Sequence, residues 1–233
     1  MYNLMKKFPV FVFSFFLLVL FGSGKMYAQS TIENVRFHLW ESRDAYPGLT
    51  EAQDLSSGEF DYPVNALKTV APKLIGGMVY GWNFIYTPSD KARGVDEYFE
   101  LEEIQPFNTL KSEIDYEQPW LDESRLNAWV HYRRTPNQIQ NFKLWSSIQN
   151  PKISGRGYGD LEKGFDGIDD AIKEAAKEAI REHFRNEIKN KPKEISGSIL
   201  IRKDPTLGIV SGRYTINLDF FLESVKIVSY TTF

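Results

Sequence analysis

Two histidines set among aromatic residues form the most chemically versatile grouping in the chain. His38 stands beside Phe37 and Trp40, and His131 beside Trp129 and Tyr132. Each falls in a stretch with a strand-like alternation, Val35 to Trp40 and Asn127 to Arg133. If the two strands pair, both imidazoles share a face. A histidine pair can hold a metal or move a proton. No carboxylate stands at ligand spacing from either, however, so the expectation is of strand histidines, with no metal, no cofactor and no catalytic residue assigned. Indole, imidazole and guanidinium groups instead suit recognition by stacking and charge. The expected binding surface is therefore His38, Trp40, Trp82, Trp129, His131 and Arg133.

Other groupings yield to plainer readings. Asp96 to Glu123 holds ten acids and one base, Lys111, but no calcium-loop spacing, and reads as a solvated face. Within it Asp96, Glu97, Glu100 and Glu102 are the candidates for a carboxylate-dependent hydrolase, which would need two of them to converge in a cleft. Gly155-Arg156-Gly157-Tyr158-Gly159 has the glycines of a phosphate loop, yet the next helix opens too late for a dinucleotide fingerprint. Trp82, Trp129 and Trp145 read as core residues, and Trp120, after Pro119, as an exposed one. His183 reads as a packing residue.

The elements that must position these groups point to an α+β fold, mostly antiparallel, with one long amphipathic helix packed on the sheet and a C-terminal β-meander. The helix is expected over about 167–190. Ile168, Ala171, Ile172, Ala175, Ala179, His183, Phe184 and Ile188 form its stripe, Asp166 or Gly167 caps it, and Pro192 closes it. Strands are expected over Glu194–Arg202, Gly212–Phe220 and Val225–Tyr230, and another over Lys152–Tyr158. Thr135-Pro136 opens a second helix with threonine as N-cap. A short helix over Asn65–Ile75 should be kinked or ended by Pro72, with Gly76-Gly77 as breaker. Met78–Tyr86 and Glu97–Ile104 read as a hairpin with a long turn, and residues 105–124 as an irregular acidic excursion. The alternation back from Phe233 is only half apolar, which argues against a membrane barrel.

Composition and the N-terminus set the compartment. Lys6 and Lys7 precede an apolar run from Phe8 to Phe21, then Gly22-Ser23-Gly24 and a small-residue site near Ala28-Gln29-Ser30. That is the layout of a signal peptide, so residues 1–30 are expected to be removed and the protein exported, to the periplasm or beyond. Removal takes three lysines and no acid and moves the net charge from -3 to -6. An acidic chain is not expected to bind nucleic acid or anionic membrane surfaces. No later stretch is long and apolar enough to span a bilayer. The chain has no cysteine, which excludes disulfides, thiolate catalysis and a lipoprotein anchor. Residues 31–150 and 151–233 are expected to be two parts of one compact unit.

From Ile153 to Val228 a glycine-punctuated strand (Gly155, Gly157, Gly159) precedes a helix with alanines every three or four residues (Ala171, Ala175, Ala179). A Gly-x-Tyr-x-Ile-x-Leu strand follows (Gly212, Tyr214, Ile216, Leu218). This order resembles the module of LPP20-type envelope and flagella-associated proteins. The resemblance implies a non-enzymatic accessory or protein-interaction module with an envelope or flagella-associated partner. The lipid-attachment cysteine of that group is absent here. The alternative expectation is a carbohydrate or small-ligand binder, or the hydrolase above.

Overall fold

A computed structural model describes residues 32–43, 60–188 and 190–230, and the fold is α+β. The expected signal segment, residues 1–30, lies outside the described residues. Among the described residues nine strands and three helices follow in order: β1 (Asn34–Ser42), α1 (Asp61–Val79), β2 (Trp82–Thr87), β3 (Tyr98–Glu103), β4 (Asp115–Asp122), β5 (Arg125–Arg133), α2 (Pro136–Trp145), β6 (Lys152–Asp160), α3 (Phe165–Glu187), β7 (Glu194–Ile201), β8 (Thr206–Val210) and β9 (Arg213–Val228). They build two antiparallel sheets. The smaller has the order β1-β5-β4; the larger runs β3-β2-β7-β9-β6, with β8 also paired to β9. Residues from Ile32 onward form one compact unit, and one core cluster draws on both sheets and on α1 and α3.

The long helix obeys its sequence pattern. Ile168, Ala171, Ile172, Ala175, Ala176, Ala179, Ile180 and Phe184 are buried on one stripe. Its alanines lie directly on the glycines of β6: a Cβ added at Gly155 would collide with the carbonyl of Ala175, and one at Gly157 with that of Ala171. A glycine row against an alanine row is what brings helix backbone and strand backbone together. The cap differs from expectation. The helix opens at Phe165 after Gly164 (φ 58°), with no side-chain cap. At α2 the expected cap is a full capping box. The Gln138 amide donates to Thr135 Oγ1 at 3.4 Å, and the Thr135 amide donates to Gln138 Oε1 at 2.8 Å.

Three expectations require correction. The helix over 65–75 neither ends at Pro72 nor breaks at Gly76-Gly77; α1 runs to Val79. Gly77 serves packing, since a Cβ there would stand 2.5 Å from the Trp82 ring. The true stop is Gly81, at φ 83°, whose amide bonds back to Gly76 O. Met78 and Val79 therefore belong to the helix, and the strand starts at Trp82. Within 105–124, residues 115–122 are not irregular but form β4, distorted by a bulge between Glu117 and Trp120 with Gln118 at φ 48°. Finally, the last two expected strands are one: β9 continues unbroken to Val228 because a shift in register opposite Ser196–Ser198 keeps β7 paired along it. A strand not expected, β8, reaches β9 through the two-residue turn Ser211-Gly212, both at positive φ.

Candidate binding surface

β1 and β5 pair with His38 opposite Trp129 and Arg36 opposite His131. Alternation sends Val35, Phe37 and Leu39 into the core and leaves Arg36, His38, Trp129 and His131 on the opposite face. There the side chains form a continuous stack. The Trp120 ring lies over His38 at 5.1 Å and 16°; His38 meets Trp129 at 5.6 Å; the Arg36 guanidinium sits 4.2 Å from the Trp129 ring centre. The His38 Nε2–H donates to Asn127 Oδ1 at 3.0 Å, and Asn127 is itself held by the carbonyl of Arg125. That bond fixes the plane of the imidazole and with it the angle of the stack.

Charge borders the ladder. Glu117 lies 3.7 Å from Arg36, and His131 Nδ1 lies 3.7 Å from Asp115 and 3.9 Å from Glu117. Trp120 keeps 39% of its surface exposed, so the outer end of the stack is open to a partner. Beside it Phe60, Val64, Pro119, Leu121 and Leu126 line a shallow apolar hollow of about 490 Å³. Among the described residues, no group of three His, Asp or Glu side chains stands where it could hold a metal ion.

Of the six residues expected to form the surface, His38, Trp129 and His131 come together. Trp82 does not. It is 1% exposed in the core of the other sheet, near Phe220. Trp40 shares the face of His38 but is 4% exposed, because its indole N–H donates to the carbonyl of Leu207 at 3.1 Å and Arg125 covers its ring. Arg133 is exposed at the end of β5, opposite Asn34. Trp129, read as core, is instead half-buried on the stacked face. Arg36, Asn127, Asp115 and Glu117 were missed; strand alternation from His38 and His131 would have found the first two. Two of the four hydrolase candidates are engaged locally. Glu97 accepts the Tyr86 hydroxyl and pairs with Lys177, while Glu100 accepts the Tyr98 hydroxyl on edge strand β3.

One buried acid had no sequence signal. Glu41 is fully buried and accepts the Tyr214 hydroxyl at 2.6 Å, tying β1 to β9 across the two sheets. Burial pushes its carboxyl up to about 7, although the bonds from Tyr214 and the Ser42 amide hold it lower than burial alone would.

A protein-family model matches residues 23–230. The chain belongs to that family, one of uncharacterised proteins. An uncharacterised protein of Treponema pallidum (strain Nichols) is 26% identical over 195 residues, covering 84% of this chain and 81% of that protein. No solved structure matches. The family match takes in the stacked face as well as the helix–glycine unit, so both belong to one family unit.

Proposed function

We propose that this protein is an exported, non-enzymatic interaction module of the cell envelope, and that it acts through the stacked face of the three-stranded sheet. The observation that carries this reading is the open ladder Trp120–His38–Trp129–Arg36, rigid at its base and exposed at its end. Aromatic and arginine anchors on a firm scaffold are what protein interfaces use. The signal-like N-terminus supports export, and the strand–helix–strand order that resembles LPP20-type modules supports an envelope or flagella-associated partner. Among the described residues no helix is long and apolar enough to cross a membrane. A sugar ring would also stack on this ladder, which makes glycan binding the second reading.

Site-specific photocrosslinking separates them. Benzoylphenylalanine in place of Trp120 is compared with the same group in place of Leu144, which is 71% exposed on α2. A discrete protein adduct from position 120 alone, in the envelope fraction, is the expected result. A glycan adduct moves the weight to the second reading; equal adducts from both positions, or none, sink the proposal.

A further inference from the structure

A second concave site lies away from the ladder, where the end of α3 meets the β2–β3 hairpin. Tyr86, Phe184 and Ile195, all buried, make its floor, and Ile188, Pro88 and Pro192 its walls. The cleft holds about 400 Å³, within the size range of small-ligand sites. The two prolines contribute no backbone N–H, which removes two donors from the walls.

The rim is cationic. Arg181 and Arg185 project from the last turns of α3, and Lys191 closes the opening by donating to the carbonyl of Ser89 at 2.7 Å. Glu97 is the carboxylate among the described lining residues, and it is already engaged by the Tyr86 hydroxyl at 2.9 Å and by Lys177 at 3.6 Å. The two arginines are held by helix neighbours, Arg181 by Glu178 at 2.5 Å and Arg185 by Glu182 at 3.1 Å. Exposed helix ion pairs are weak, so the guanidinium groups exchange partners at little cost. Arg185, with 73% of its side chain exposed, is the freest to swing over the opening.

We propose that this cleft binds a small amphipathic anion: a carboxylate or sulfonate on an apolar body of single-chain or single-ring width. The apolar body lies on Phe184, Ile188 and Ile195, and the anionic head meets Arg185 and Lys191 at the rim. A cation of the same shape is excluded by the rim charge. The proposal does not depend on the stacked face.

The test is calorimetric titration of the protein with decanoate and with decyltrimethylammonium, both below their micellar range. Saturable one-to-one binding of decanoate, and none of the cation, is expected. Arg185→Glu with Lys191→Glu should weaken decanoate binding at least tenfold, and Ile188→Trp, which fills the cleft, should abolish it. Both variants should keep the parent melting temperature, since the altered side chains lie at or near the surface. Absence of saturable binding overturns the proposal, as does decanoate affinity unchanged in both variants or equal affinity for the cation. Binding to phosphatidylglycerol vesicles without binding of free decanoate also overturns it, because the rim charge would then act as a surface and not as the mouth of a cleft.

Discussion

The helix–glycine unit and the three-stranded sheet solve opposite problems. Where α3 lies on β6, side chains are reduced to hydrogen and methyl so that backbones can touch, and little remains to meet a partner. On the small sheet, indoles, imidazoles and a guanidinium fill the face away from the core, and no helix among the described residues covers it. The first arrangement spends its residue types on close packing, and a change of one methyl group matters there. The second spends them on a surface, where deletion of a whole indole should leave the fold standing. Glu41 and Tyr214 join the two regions, and that joint should respond to pH.

The largest effect should follow Gly157→Val. Its branched side chain would be driven into the backbone of α3 at Ala171. Overpacking of this kind should cost more than about 3 kcal/mol, visible in urea unfolding or as failure to accumulate folded protein. A fold as stable as the parent would show that helix and strand are not in backbone contact.

Next comes the joint. The Glu41 carboxyl is raised from 4.5 to about 7 in the folded protein. Between those values the unfolded chain has lost its proton while the folded chain keeps it, so the unfolded state binds fewer protons and stability falls as pH rises. The contribution is full below pH 4.5 and gone above about 7, and its size is on the order of 3 kcal/mol. Glu41→Gln should flatten this part of the stability–pH curve, measured by urea unfolding from pH 4.5 to 8. An unchanged slope would mean that Glu41 is solvated in solution.

Trp120→Ala should cost about 1 kcal/mol in stability, the value of one aromatic pair, while removing the exposed end of the stack through which the proposed partner would bind. Loss of the whole fold would reassign the ladder to the core. The smallest effect belongs to Gly208→Ala on β8. A Cβ there meets nothing within 4 Å, so the change should stay within about 0.5 kcal/mol in thermal melts. Set beside Gly157, it separates glycine as a packing device from glycine as a merely permitted residue.

Much of the frame was legible before any coordinates. The stripe of α3, the cap at Thr135, and the strands around His38 and His131 all follow from periods and short signals that depend on local geometry. Gly76-Gly77 misled because a breaker is a statement about propensity, and contact with Trp82 overrode a cost of about 1 kcal/mol per glycine. β4 hid because Gln118-Pro119 interrupts its alternation with a bulge. β8 hid because Ser211-Gly212 reads as a break ahead of β9 as readily as a two-residue hairpin turn. His38, Trp129 and His131 come together because β1 pairs with β5; Trp82 falls out because an aromatic strand reads the same in either sheet.

Sequence alone determined the elements whose instructions are local: the apolar face of α3, the strand alternation around His38 and His131, and the absence of cysteine chemistry. Tertiary structure decided which outward residues meet. Trp120 reaches His38 across 82 positions, and Glu41 is buried by Tyr214 across 173. No period of 2 or 3.6 residues encodes such a pairing. It arises when two sheets and their helices exclude water together, and only then do a stack, a cleft and a raised carboxyl exist.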